Sequence, residues 1–213
     1  MNKILMTAIV AGIAGTASAD VITGSNNAIL EWGISPTNGS AVTAGAATLF
    51  PSDIVIANGA TNIITDVNVT LKVGAHTWAD DMEISLRSPS GTIIELMRDA
   101  GGNDNIAGVL TFDDQAAGMI ADSGTDVDFS GTFMTSIYGA SVTSTAPAAN
   151  AVGLAAFNGE NANGTWSLFV FDDAGGDTGA FTDGWNIELT VIPAPASAVL
   201  LGLGGIAAIR RRR

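Results

Sequence analysis

From Val67 to Gly74 apolar and polar side chains alternate without a break, Val67, Val69, Leu71 and Val73 against Asn68, Thr70, Lys72 and Gly74. A period of two suits only a β-strand with one face on a core and the other in water. The same pattern returns at Met82, Ile84 and Leu86 against Glu83, Ser85 and Arg87, at Trp166, Leu168 and Val170, and at Trp185, Ile187, Leu189 and Val191. No comparable helical periodicity interrupts residues 46–192. Ser88-Pro89-Ser90-Gly91 carries proline second and glycine fourth, which predicts a type I turn joining the Met82 strand to one at Thr92–Met97. Charged residues are 14% of the chain, against about 25% in an average domain, and 26 glycines and 6 prolines accompany them. Strands spaced by turns predict an all-β sandwich of about eight strands.

The chain has no cysteine and one histidine, His76. Disulfides, thiol nucleophiles, cysteine-type zinc sites and any site needing two histidines are thereby excluded. With Lys3 and Arg210–Arg213 set aside as terminal, Lys72, Arg87 and Arg98 face all 21 carboxylates, a net charge of −18. Such a surface repels nucleic acid and anionic lipid, and attracts divalent cations or basic partners.

Both ends read as targeting segments. Met1-Asn2-Lys3, an apolar stretch from Ile4 to Ala14 and small residues up to Ala19 predict a signal peptide over residues 1–19, cleaved after Ala19. Residues 20–45 form a segment rich in Gly, Ala, Ser and Thr, with one apolar patch at Ile29–Ile34 suited to an extra edge strand. Residues 193–213 run Pro193-Ala194-Pro195, a Gly-rich apolar stretch to Ile209, then Arg210-Arg211-Arg212-Arg213. Fourteen helical residues reach about 21 Å of a ~30 Å hydrocarbon core, and the arginines favour a cytoplasmic C-terminus. This order resembles the PEP-CTERM sorting signal of Gram-negative bacteria, with Ala194 where that family usually has Glu. The resemblance implies a transient inner-membrane anchor, processing by an exosortase after signal peptidase has acted, and delivery to the cell surface or extracellular matrix. An ordinary permanent anchor is the alternative.

Three blocks stand between these ends. They are His76-Thr77-Trp78-Ala79-Asp80-Asp81-Met82 leading to Ser88-Pro89-Ser90-Gly91-Thr92; Leu110-Thr111-Phe112-Asp113-Asp114; and Asn163-Gly164-Thr165-Trp166 through Asp172 to Gly176-Asp177-Thr178-Gly179 and Trp185. Together residues 46–192 resemble the P domain, or P/Homo B domain, of subtilisin-like proprotein convertases. The resemblance implies a jelly-roll β-sandwich of the galactose-binding-like kind, an accessory to a serine protease and not itself catalytic. A subtilisin-type catalytic domain has no room in this chain.

Three sets of residues invite chemistry. His76 suits a catalytic base, but no Gly-x-Ser-x-Gly elbow accompanies it, and a loop-tying role is the competing reading. The acidic turns Asp80-Asp81, Asp113-Asp114 and Asp172-Asp173 with Asp177 supply the oxygens a calcium ion takes. The family resemblance brings calcium with it, and Asp81, Asp113, Asp172 and Asp177 are the candidate ligands, with solvated turn carboxylates as the alternative. Trp166 and Trp185 fall in phase with core positions, whereas Trp78 lies in a loop, open to a sugar ring. The expected function is a non-enzymatic surface or matrix module. The alternatives are an accessory domain stabilising a separately encoded envelope protease, and a module binding extracellular polysaccharide.

Overall fold

A computed structural model describes residues 18–33, 44–58, 62–122, 130–139 and 147–193. The predicted signal peptide and the tail from Ala194, with Pro195 and Arg210, lie outside these residues apart from Ser18 and Ala19. Among the described residues there are twelve strands: β1 Asp20–Asn26, β2 Leu30–Trp32, β3 Gly45–Ala46, β4 Ser52–Ile56, β5 Asn62–His76, β6 Met82–Arg87, β7 Ile93–Arg98, β8 Ile106–Phe112, β9 Gly131–Phe133, β10 Ser136–Ile137, β11 Gly164–Asp172 and β12 Gly179–Pro193. Two short 3-10 turns, Ala79–Asp81 and Leu154–Phe157, are the helical elements among the described residues. None of these is long and apolar enough to cross a membrane.

The strands form two mixed six-stranded sheets, giving the expected all-β sandwich. One sheet runs β1-β12-β5-β8-β9 with β2 also on β12; the other runs β10-β7-β6-β11-β3 with β4 also on β11. The count exceeds eight because β2, β3, β9 and β10 are only two or three residues long. The alternating positions turn inward as read: Val67, Val69, Leu71, Met82, Ile84, Leu86, Trp166, Leu168, Val170, Trp185, Ile187 and Leu189 share one core between the sheets. The turn after β6 forms where Ser88-Pro89-Ser90-Gly91 predicts it. Gly91 N donates to Ser88 O at 3.0 Å, and β6 and β7 pair antiparallel.

Two features differ from the sequence reading. The sandwich begins at Asp20, because all seven residues of β1 pair with β12 from Asn26↔Trp185 to Asp20↔Val191. Leu30 and Trp32 of β2 are buried in the core, so residues 20–33 belong to the domain. The second difference lies in the second sheet, whose outer face is covered where a wet face was expected. Glu83, Ser85, Ser167, Phe169 and Phe171 are all buried there. Phe50 folds over that face, its ring edge-on to Phe169 with centroids 5.2 Å apart, and the Arg87 guanidinium lies 5.3 Å from the Phe169 ring centre.

Candidate functional site

β5, β6, β11 and β12 bring most of the acidic turns to one end of the sandwich. His76 closes β5, opposite Gly179 at the start of β12 and Ile106 at the start of β8. Asp172 closes β11 opposite Met82, the first residue of β6, and Asp81 immediately precedes that residue. The ladder extends one step further, with Asp173 N donating to Asp81 O at 2.9 Å. A single strand-end geometry therefore gathers His76, Asp81 and Asp172.

His76 is fully buried. Its Nδ1 accepts the Trp78 backbone N–H at 2.9 Å, so a neutral ring carries its proton on Nε2. That nitrogen meets no hydrogen-bond partner among the described residues and lies 3.6 Å from Asp172 Oδ2. The ring packs 5.7 Å from Trp32. A buried imidazole facing only a carboxylate has the orienting half of a catalytic triad without the nucleophile. The bond from Trp78 is the loop-tying role that the strand-exit position suggested.

Asp172 is also sealed. Its Oδ1 accepts Ala174 N–H at 3.2 Å, while Oδ2 has no hydrogen bond. Beside it Gly33 adopts φ +67°, where a Cβ would collide with the Asp177 carbonyl oxygen and stand 2.9 Å from Asp172 Oδ2. Two oxygens thus converge on space that any side chain would fill. Asp177 accepts a bond from Thr77 Oγ1 through its own carboxylate. Burial pushes the Asp81 carboxyl up to about 6; the Asp172, Asp177 and Asp80 charges add to the rise and His76 opposes it.

Asp113 does not join this group. It follows β8, whose other end is the one beside His76, so the seven-residue strand sets it about 20 Å away. There its Oδ1 accepts Gln115 N–H at 2.7 Å, a local turn. Asp114 is spent on the turn at Leu154–Phe157, accepting Leu154 N–H at 3.2 Å and Ala155 N–H at 2.6 Å.

Three acidic residues outside the candidate set complete the end on its outer side. Glu83, only 6% exposed, leaves Oε1 without a partner. Asp173 is raised to about 6, by burial first and then by Glu83 and Asp81. Asp99 is raised likewise, by burial and then by Asp173 and Asp80, with Arg98 opposing. Among the described residues, no three His, Asp or Glu side chains converge closely enough to hold one metal ion. Trp166 and Trp185 are fully buried, as their phase predicted, and Trp78 is 41% exposed.

No curated protein matched the chain. A solved structure, the Aeromonas sobria serine protease in complex with the chaperone ORF2, is similar at 15% identity and a TM-score of 0.36, over 82% of this chain and 28% of that one. The chain thus corresponds to a minor part of that protein's length. The family model for the proprotein convertase P-domain matches residues 64–189, the stretch from β5 through β12 that supplies the central strands of both sheets and the carboxylates of the acidic end. The chain belongs to the proprotein convertase P-domain family.

Proposed function

We propose that this P domain is a non-catalytic structural or binding module, exported to the cell surface or matrix, whose acidic end holds a calcium ion. One observation carries the non-catalytic reading. The chain's single imidazole is fully buried, with Nδ1 engaged by a backbone N–H and Nε2 facing only Asp172. Exported status rests on the two terminal signals. It is supported by the start of the edge strand, since β1 begins at Asp20, just after the expected cleavage at Ala19.

For calcium, the donors fit a hard cation. Asp172 Oδ2 is an unpartnered buried oxygen, Asp177 O crowds the same space at Gly33, and Asp81 supplies a second carboxylate. Because side-chain carboxylates alone do not converge, backbone carbonyls and water must complete the shell. A bound ion would neutralise Asp81 and Asp172, which otherwise repel each other.

The non-catalytic reading is tested by incubating the purified full chain with casein and a fluorophosphonate probe. Neither turnover nor labelling is expected. Either one, abolished by His76→Ala in a chain that still melts cooperatively, would overturn it.

A further inference from the structure

The outer side of the acidic end is distinct from the inner group around Asp172. Glu83 opposes Phe171 across the β6–β11 ladder, so both point away from the core, and Asp173 lies two residues beyond Phe171. Asp99 follows β7, the other neighbour of β6, and its carboxylate presses on Gly139. Glu83, on the strand between them, is nine-tenths buried, with one carboxylate oxygen that has no hydrogen-bond partner among the described residues.

Among the described residues no cation pairs with these three carboxylates, although the Arg98 charge acts on Asp99. Arg98 is held by Glu95 at 2.9 Å and by the Tyr138 carbonyl at 3.1 Å, Arg87 by Ser167 and the Phe169 ring, and Lys72 lies on the opposite sheet. Yet the three carboxylates are too widely spaced to share one metal ion. A guanidinium is broader, carries five N–H donors in a plane, and is less strongly hydrated than an ammonium.

We propose that this rim docks an arginine-bearing basic segment of a partner protein, its guanidinium bridging Glu83, Asp99 and Asp173. This partner assignment rests on reading the chain as a binding module. Failure of that reading would appear as fluorophosphonate labelling, and failure of this one only in peptide affinity.

The test is fluorescence anisotropy of a labelled tetra-arginine peptide and its tetra-lysine counterpart, titrated with the full chain in chelator at physiological ionic strength. Tighter binding of the arginine peptide is expected. Asp99→Asn with Asp173→Asn should weaken it about tenfold or more, as loss of charge-assisted hydrogen bonds requires. The control pair Asp53→Asn with Glu188→Gln, exposed and remote from the rim, removes the same charge and should change it less than about twofold. Equal weakening by both pairs would mean attraction to net charge alone, and would overturn the proposal. So would equal affinity for the two peptides, displacement of the peptide by millimolar calcium, or binding that appears only after Arg210–Arg213→Ala, which would make the chain's own tail the occupant.

Discussion

Replacing Asp81 by Asn should stabilise the metal-free protein at neutral pH. Asp81 is 9% exposed and its carboxyl is raised from 3.8 to about 6, by burial first and by neighbouring carboxylates second. A group whose folded pKa lies above its unfolded value contributes stability below about pH 4 and withdraws it as pH rises through 6. A shift of about two units corresponds to ~3 kcal/mol at 1.36 kcal/mol per unit. Water reaching the half-buried Asp80 and Asp177 beside it screens roughly half, leaving about 1.5 kcal/mol at pH 7.5. Asn has the same shape, cannot ionise, and leaves the backbone bond from Asp173 N to Asp81 O in place. At about 2–4 °C per kcal/mol for a chain of this size, Asp81→Asn should raise the melting temperature by about 3–6 °C in chelator at pH 7.5 and by almost nothing at pH 4. Thermal melts of the full chain by circular dichroism at pH 4, 6 and 7.5 measure this. With millimolar calcium the order should invert, because the wild-type carboxylate gains a ligand that the amide holds weakly. A lower melting temperature for the variant in chelator at pH 7.5, or the same gain at pH 4 as at 7.5, would refute the repulsion argument.

Gly184→Ala should cost about 2–4 kcal/mol in urea unfolding, since φ there is +64° and the new Cβ would collide with the Asn26 carbonyl at the end of β1; Gly176→Ala, at φ +121° but with no atom within 4 Å, should lose only the smaller backbone term of about 1 kcal/mol. Mass spectrometry of the protein recovered from the cell surface should find an N-terminus at Asp20 and a C-terminus near Pro193, and an intact Arg210–Arg213 cluster there would make the tail a permanent anchor.

The long strands were legible because their inward positions carry large apolar groups at every second residue. β1 was not, because its inward positions are Ile22 and Gly24, and a Cβ on Gly24 would stand 2.5 Å from Ile54 and 2.7 Å from Ile56. The close approach that brings β1 into the sandwich thus removes the side chain that would have advertised it. The covered face of the second sheet did leave a signal. Trp166-Ser167-Leu168-Phe169-Val170-Phe171 is nearly continuous in apolar residues, the mark of a strand buried on both sides, and strict alternation reads only half of it.

For the acidic end, residue type was legible and convergence was not. Asp113 and Asp172 look alike in sequence, each the first of two aspartates at the close of a strand. What separates them is strand direction. β8 starts beside His76 and carries Asp113 away from it, whereas β11 runs toward β6's first residue and delivers Asp172 to Asp81. The adjacency of the two aspartates matters for the same reason. Successive side chains of an extended chain point to opposite faces, so Asp172 turns inward to His76 while Asp173 turns outward to Glu83. One dipeptide therefore supplies a carboxylate to each side of the sheet. The two proposals accordingly assign different cations to the two sides, a hard ion where the Asp177 carbonyl and the Asp172 carboxylate crowd Gly33 and a broader guanidinium where carboxylates stand apart. Neutralising Asp173 should leave calcium-linked stability largely intact while weakening peptide binding, and neutralising Asp81 should do the reverse.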